Sequence, residues 1–188
     1  MSNLEFYPLT SERWADFEGL FGQHGAFGGC WCMWWRLKQS EFERQKGEGN
    51  KQELRSLVEA GHIPGILAYA QGRAVGWCSV APRQYFPRLD RSRLLKPVDE
   101  QPVWSIVCFY VEKHYRNQGM TVQLLQAAVA FVREQGGKIV EGYPLEPKSG
   151  QVPAPFAYMG LAAAYKKAGF VECLRRSETR PIMRYHVR

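Results

Sequence analysis

The sequence predicts a mixed α/β sheet with helices on its faces, and three observations carry that prediction. Val103 to Val111 is β-branched and aromatic, nearly free of charge, and reads as a central strand. Directly after it, Leu125, Ala128, Val129 and Val132 recur at helical spacing in a segment running from about Met120 to Gln135. Around this pair, short apolar runs alternate with helical patterns in the order β-α-α-β-β-β-α-β-α-β-β.

Each element has its own signal. Leu4 to Pro8 alternates apolar and polar residues, as a strand does. Ser11 is placed to cap a helix through Gly19, with Trp14, Phe17 and Phe21 at helical spacing, and Gly25 to Gly29 breaks the pattern. Lys46 to Asn50 reads as a polar loop before a helix over Gln52 to Ala60. Ile66 to Ala70 and Ala74 to Ala81 form a hairpin through Gln71-Gly72-Arg73. Pro82 to Pro102 holds four prolines and reads as a long loop with one helical turn at most. Gly136-Gly137 stops the long helix, and Ile139 to Gly142 is a further strand. Pro144 to Pro155 is a proline-rich loop, Ala157 to Ala168 a helix stopped by Gly169, and Phe170 to Leu174 and Ile182 to Val187 are closing strands. No internal repeat, low-complexity tract or linker divides the 188 residues, so one domain over 1–188 is expected.

Composition narrows the class. The chain is 45% hydrophobic and 23% charged, enough apolar side chain to offset the entropy of ordering. No apolar run approaches the roughly 20 residues that a bilayer span needs, and Met1 to Thr10 lacks a signal peptide's pattern. Five cysteines, an odd number, fit reduced thiols in a cytoplasmic protein better than a disulfide framework. The formal charge of +7 concentrates in Arg83 to Lys96 and Cys173 to Arg188. Such surfaces attract anions, whether nucleic acid or a phosphorylated cofactor, or are simply solvated.

The chemistry concentrates in Val111-Glu112-Lys113-His114-Tyr115-Arg116-Asn117-Gln118-Gly119-Met120-Thr121, which joins the strongest strand to the best helix. The first amides of a helix have no internal acceptor, and their partial positive charge attracts anions. Gly119 lets an anion approach the backbone, Thr121 adds a hydroxyl, and Arg116 adds a full charge. The alternative reading is a glycine that only permits a tight turn. No G-x-G-x-x-G or Walker A pattern competes.

This junction resembles the Arg/Gln-x-x-Gly-x-Gly/Ala motif of the GNAT superfamily of N-acetyltransferases, with Arg116 and Gly119 matching and Thr121 replacing the last small residue. Ala164-Tyr165-Lys166-Lys167-Ala168-Gly169-Phe170 is similar to the family's late helix, although Met159-Gly160-Leu161 stands where the family often has Asn. The resemblance covers roughly Ile66 to Phe170. It implies a GNAT-like, mostly antiparallel central sheet flanked by helices, acetyl-CoA as cosubstrate, no metal, and a small-molecule or peptide amine as acceptor. Homodimers are common in the family.

The same resemblance assigns roles. Backbone amides from Arg116 through Asn117, Gln118, Gly119, Met120 and Thr121 hold the pyrophosphate. Phe109, Tyr110 and Val111 match the splayed strand, whose backbone N–H receives the thioester carbonyl. Tyr165 matches the general acid toward the leaving sulfur, against the plainer reading of a core tyrosine. Glu112 is the candidate base; His114 and Glu141 are nearby alternatives, each also readable as a surface group, and the family frequently uses a water chain instead.

Gly28-Gly29-Cys30-Trp31-Cys32-Met33-Trp34-Trp35-Arg36 is the most unusual stretch. Its Cys-x-Cys pair lacks a second ligand pair at metal spacing, and no histidine is placed to activate a nucleophilic thiol. Packing is the favoured reading. A further one places Trp31, Trp34 and Trp35 along an aromatic acceptor pocket suited to a cationic amine. Two rival functions stand beside the enzyme: a non-catalytic CoA-binding sensor or regulatory module, which would not need Tyr165, and a basic nucleic-acid binder, which no recognised motif accompanies.

Overall fold

Seven strands form one sheet in the order β1-β2-β3-β4-β5-β7-β6 in the computed structural model, which describes residues 4–148 and 157–188. The strands are β1 (Leu4–Pro8), β2 (Gly65–Ala70), β3 (Arg73–Pro82), β4 (Trp104–Val111), β5 (Ile139–Gly142), β6 (Val171–Arg175) and β7 (Pro181–His186). The β4–β5 pair is parallel and the other pairs are antiparallel. The helices are α1 (Trp14–Phe21), α2 (Gln39–Arg44), α3 (Glu48–Glu59), α4 (Pro87–Arg91), α5 (Met120–Glu134) and α6 (Ala162–Lys167).

The β2–β3 hairpin turns at Gln71 and Gly72, both left-handed, as its glycine-containing turn predicts. On one face of the sheet α5 buries Met120, Leu124, Leu125, Ala128, Val129, Phe131 and Val132 against β2 to β4. Gly76 makes that approach possible: a Cβ there would lie 3.3 Å from Met120 Sδ. The other face is covered by α1, α3 and the Cys30–Met33 stretch, with Phe17, Phe21, Trp31 and Trp77 at its centre.

Several boundaries differ from the sequence reading. Ser11 does not cap a long helix; Ser11–Arg13 is a 3₁₀ turn, and α1 begins at Trp14 with no side-chain cap. The expected loop over Lys46 to Asn50 is helical from Glu48, because Asn50 is buried and its amide donates to the Gly29 carbonyl at 3.1 Å. α2 carries no strong apolar periodicity and forms around one buried residue, Phe42. The helix expected over Ala157 to Ala168 starts only at Ala162, since Gly160 is left-handed (φ 83°) and breaks any continuation. Most of the loop expected over Pro144 to Pro155 lies outside the described residues.

Candidate active site

β4 and β5 run together only briefly. Trp104, Ser105 and Ile106 pair with Val140, Glu141 and Gly142, and β5 ends there while β4 continues to Val111. The register of β4 against β3 shifts where Ser79 faces Cys108 and Val80 faces Ile106, so Val107 is the extra residue of a β-bulge. Beyond this fork the backbone of Phe109, Tyr110 and Val111 has no β5 partner. Its polar groups instead meet loop atoms: the Phe109 N–H donates to the Tyr158 carbonyl at 2.6 Å, and the Val111 carbonyl accepts from Arg116 Nε at 2.8 Å.

Tyr165 fills the mouth of the fork. Its ring lies over Gly142, where a Cβ would come within 2.2 Å of Tyr165 Cε1, and it meets Phe109 edge-on. The side chain is fully buried and its hydroxyl donates to the Met159 carbonyl at 3.2 Å. Burial pushes its pKa well above the ordinary phenol value, so the phenol keeps its proton at neutral pH. Both readings of this residue, core and proton donor, are compatible with such a place.

After β4 the chain turns through Lys113–Tyr115 and enters the expected anion loop. Asn117 (φ 60°) and Gly119 (φ 82°) are both left-handed, and Gly119 is the residue from which α5 starts. Arg116, Asn117, Gln118 and Gly119 are exposed, Thr121 is half-buried, and Met120 turns its side chain into the core, leaving only its backbone to the loop. The amides of the first turn of α5 point out of the helix, next to the open side of β4.

Glu112 does not fit the role of base. Its carboxylate accepts from Arg73 Nη2 at 2.9 Å and pairs with His114 Nδ1 at 3.0 Å. The hydrogen bond from His114, with the nearby charge of Arg73, holds its pKa below the usual glutamate value. A carboxylate stabilised in this way is a poor proton acceptor, and here it ties the β2–β3 hairpin to the loop.

Glu141 is fixed even more firmly. It is 1% exposed and bonded to Arg184 Nε (2.7 Å), the Tyr143 hydroxyl (2.7 Å) and Arg83 Nη1 (3.3 Å). Arg184 also grips Asp99 through both terminal nitrogens, at 2.6 and 3.0 Å, and Ser105 joins through the Tyr143 hydroxyl. This network clamps β4, β5 and β7 together on the closed side of the fork. It also uses basic residues that the sequence reads as surface charge: Arg83 and Arg184 lie in it, and Arg176 and Arg180 donate to backbone carbonyls. A cleft of about 480 Å³, lined by Arg83, Asp99, Trp104 and Lys138, opens at the Trp104 end of β4, away from the Gly119 loop.

The three candidate pocket tryptophans part company. Trp31 is 3% exposed and belongs to the core, stacked on Phe21 with Lys51 above it. Gly25 leaves the space for its indole, since a Cβ there would lie 2.4 Å from Trp31 Nε1. Trp34 and Trp35 are half-buried, near Arg88. Cys32 accepts the Trp77 indole N–H at 3.0 Å, and the Cys108 thiol donates to the Phe109 carbonyl at 3.8 Å. Trp31 and Cys32 are both left-handed (φ 45° and 57°), a conformation costly for residues with side chains and held here by packing on every side. Among the described residues no group of three or more His, Cys, Asp or Glu is disposed to hold a metal, and no helix is long and apolar enough to cross a membrane.

Sequence reasoning missed Tyr158, whose carbonyl meets the fork at Phe109, and the stacking of Arg88 on Trp34. Neither lies in a motif, and both contacts join segments distant in sequence.

Comparison with known proteins accords with this geometry. The fold is shared with an acetyltransferase of the GNAT family from Streptococcus pneumoniae (12% identity, 99% of this chain and 100% of that one, TM-score 0.55). It is also shared with the PaiA N-acetyltransferase of Thermoplasma acidophilum, solved with coenzyme A (14%, 98% and 99%, TM-score 0.55). A third similar structure is the ribosomal-protein-S5-alanine acetyltransferase of Vibrio fischeri (13%, 100% and 94%, TM-score 0.55). At such identities the likeness is one of fold. No curated protein matches the sequence significantly. A family model, however, matches residues 31–144, more than half of the chain and the whole stretch from the Cys-Trp-Cys turn to the end of β5, and on that match the chain belongs to the acetyltransferase (GNAT) family.

Proposed function

We propose that this protein transfers the acetyl group of acetyl-CoA to a primary amine by direct attack of the amine on the thioester. The observation that carries this reading is the fork itself. A stretch of β4 without a strand partner on its β5 side, a buried phenol and a glycine-led helix start support it together.

In this reading the amides of Gln118 to Thr121 and the Arg116 guanidinium hold the diphosphate of the cofactor. The pantetheine arm lies along the open edge of β4, pairing with Phe109 to Val111 as a missing strand would. The Phe109 N–H takes the thioester carbonyl oxygen and stabilises the oxyanion that forms as the amine adds. The Tyr158 carbonyl that accepts this N–H stands where that oxygen goes. Tyr165, neutral and at the fork, gives its proton to the departing CoA sulfur. Glu112 has no part in the chemistry, and the proton of the attacking amine leaves through water.

The test is direct assay. The protein and acetyl-CoA are incubated with a panel of primary amines; free CoA thiol is measured and the acetylated amine is identified by mass. Thiol release that depends on an amine, with a matching N-acetyl product, supports the reading. Acetyl-CoA binding without amine-dependent release across the panel favours a CoA-binding module.

A further inference from the structure

Tyr158 touches the fork at one end and a second set of donors at the other. Its carbonyl takes the Phe109 N–H. Its ring packs against the same core cluster as Trp35, within reach of the charge of Arg88. The Trp35 indole N–H is buried and has no hydrogen-bond partner among the described residues. Burial raises the phenol pKa to about 12, so it is neutral.

Arg88 is held in an unusual way. Its guanidinium sits over the Trp34 ring, with Cζ 3.6 Å from the ring centroid, and its backbone N–H donates to the Trp35 carbonyl at 3.4 Å. Stacking occupies the face of the guanidinium and leaves its N–H edge for an acceptor in the same plane. On that edge Nη1 is buried without a hydrogen-bond partner among the described residues, as is Trp35 Nε1. Glu43 is the acid whose charge reaches Arg88, but it forms no ion pair with it, and Arg91 adds a second positive charge. Buried donors without acceptors are costly, and native proteins keep few of them. A planar cation edge and an indole N–H, on two residues whose backbones are bonded to each other, suit an anion with two or three oxygens.

We infer that Trp35 Nε1 and Arg88 Nη1 bind an acidic group, carboxylate or phosphate, on the amine acceptor. The inference rests on the reading of Phe109 N–H as the thioester site. One N–H does not serve both the thioester oxygen and the Tyr158 carbonyl, so arrival of acetyl-CoA displaces Tyr158 from Phe109 and draws its phenol away from the two donors. The acceptor then spans the space that Tyr158 leaves, with its amine at the thioester and its acid about a tyrosine's length away. That separation selects amines whose acidic group lies several bonds from the nitrogen, and disfavours α-amino acids.

Initial rates of CoA release test this with glycine, β-alanine, 4-aminobutyrate, 6-aminohexanoate, 3-aminopropyl phosphate and unbranched alkylamines of matching length. The expected result is a kcat/KM at least tenfold higher for the longer acidic amines than for glycine or the matched alkylamines. Whether 4-aminobutyrate or 3-aminopropyl phosphate is the better acceptor decides between carboxylate and phosphate. In Arg88→Met and Arg88→Gln the ratio of acidic amine to alkylamine should fall toward one, with folding checked by the thermal shift on adding acetyl-CoA. Equal use of acidic amines and alkylamines overturns the inference, as does a preference that survives both substitutions. If acetyl-CoA raises the melting temperature but no acidic amine is acetylated, the acceptor inference falls and the cofactor reading stands. If acetyl-CoA does not stabilise the protein at all, the underlying reading falls and takes the inference with it.

Discussion

Tyr165 occupies the space that a side chain on Gly142 would need: a Cβ on Gly142 would lie 2.2 Å from Tyr165 Cε1 and 2.6 Å from its hydroxyl oxygen. The last residue of β5 is thus a glycine because a phenol lies against it, and the phenol is at the fork because the strand beneath it carries no side chain. The Gly142→Ala variant should lose about 1–3 kcal/mol of stability through overpacking and should lower kcat by pushing the hydroxyl out of place. Denaturant unfolding and steady-state turnover check both. An unchanged kcat in a folded protein would remove Tyr165 from the chemistry.

Tyr165→Phe removes the proton donor and keeps the ring. The expected loss in kcat is of the order of 10²-fold or more, with acetyl-CoA affinity nearly preserved. If the leaving-group proton comes from this phenol, acceptors of low basicity should lose the same factor as basic ones. A variant with full activity would assign Tyr165 to packing alone.

Glu141→Gln should act on stability and not on the pH dependence of turnover. The carboxylate is buried between Arg83 and Arg184, and its loss leaves each guanidinium with one remaining acid, Asp90 for Arg83 and Asp99 for Arg184. Breaking a buried pair outright costs about 3–5 kcal/mol, and these remaining partners hold the loss below that. A pH–rate profile that loses its acidic limb in this variant would instead mark Glu141 as a base.

Acid should weaken the same clamp through Asp99. The hydrogen bonds from Arg184 hold its pKa at about 2, below the ordinary 3.8. A carboxyl whose pKa is lowered on folding contributes stability that is fully present above about pH 4 and lost as pH falls toward 2. Melting temperatures measured from pH 5 to pH 2 should therefore fall less steeply in Asp99→Asn than in the parent. Equal slopes would show that the Arg184 pair is not coupled to folding.

The parts of the site that were legible in the sequence are those fixed by local pattern. β4, the loop through Gly119 and α5 are consecutive, and each declares itself by β-branched content, a glycine or a 3.6-residue period. The proposed cofactor side of the site follows from that run alone. The rest is built by contacts between distant segments: Trp35 with Arg88, Tyr158 with Phe109 and, in the clamp on the closed side of the fork, Arg184 with Asp99 across 85 residues. No periodicity encodes these. Glu112 shows the opposite error. Its position beside the loop suggests a base, but Arg73, 39 residues earlier, claims its carboxylate. The sequence places the start of α3 four residues late, about one helical turn, for the same reason: the amides of Gly47 and Asn50 are held by the Gly29 carbonyl.

The measurement that bears most directly on the whole account is thermal unfolding with and without saturating acetyl-CoA, in the parent and in Gly119→Glu. Ligand at about 100 times its dissociation constant adds about 2.7 kcal/mol, which for a chain of this length is a rise of roughly 5–10 °C. The account predicts that rise in the parent and its absence in the variant, where a carboxylate faces the diphosphate. No rise in the parent, or an equal rise in both proteins, would contradict cofactor binding at the start of α5.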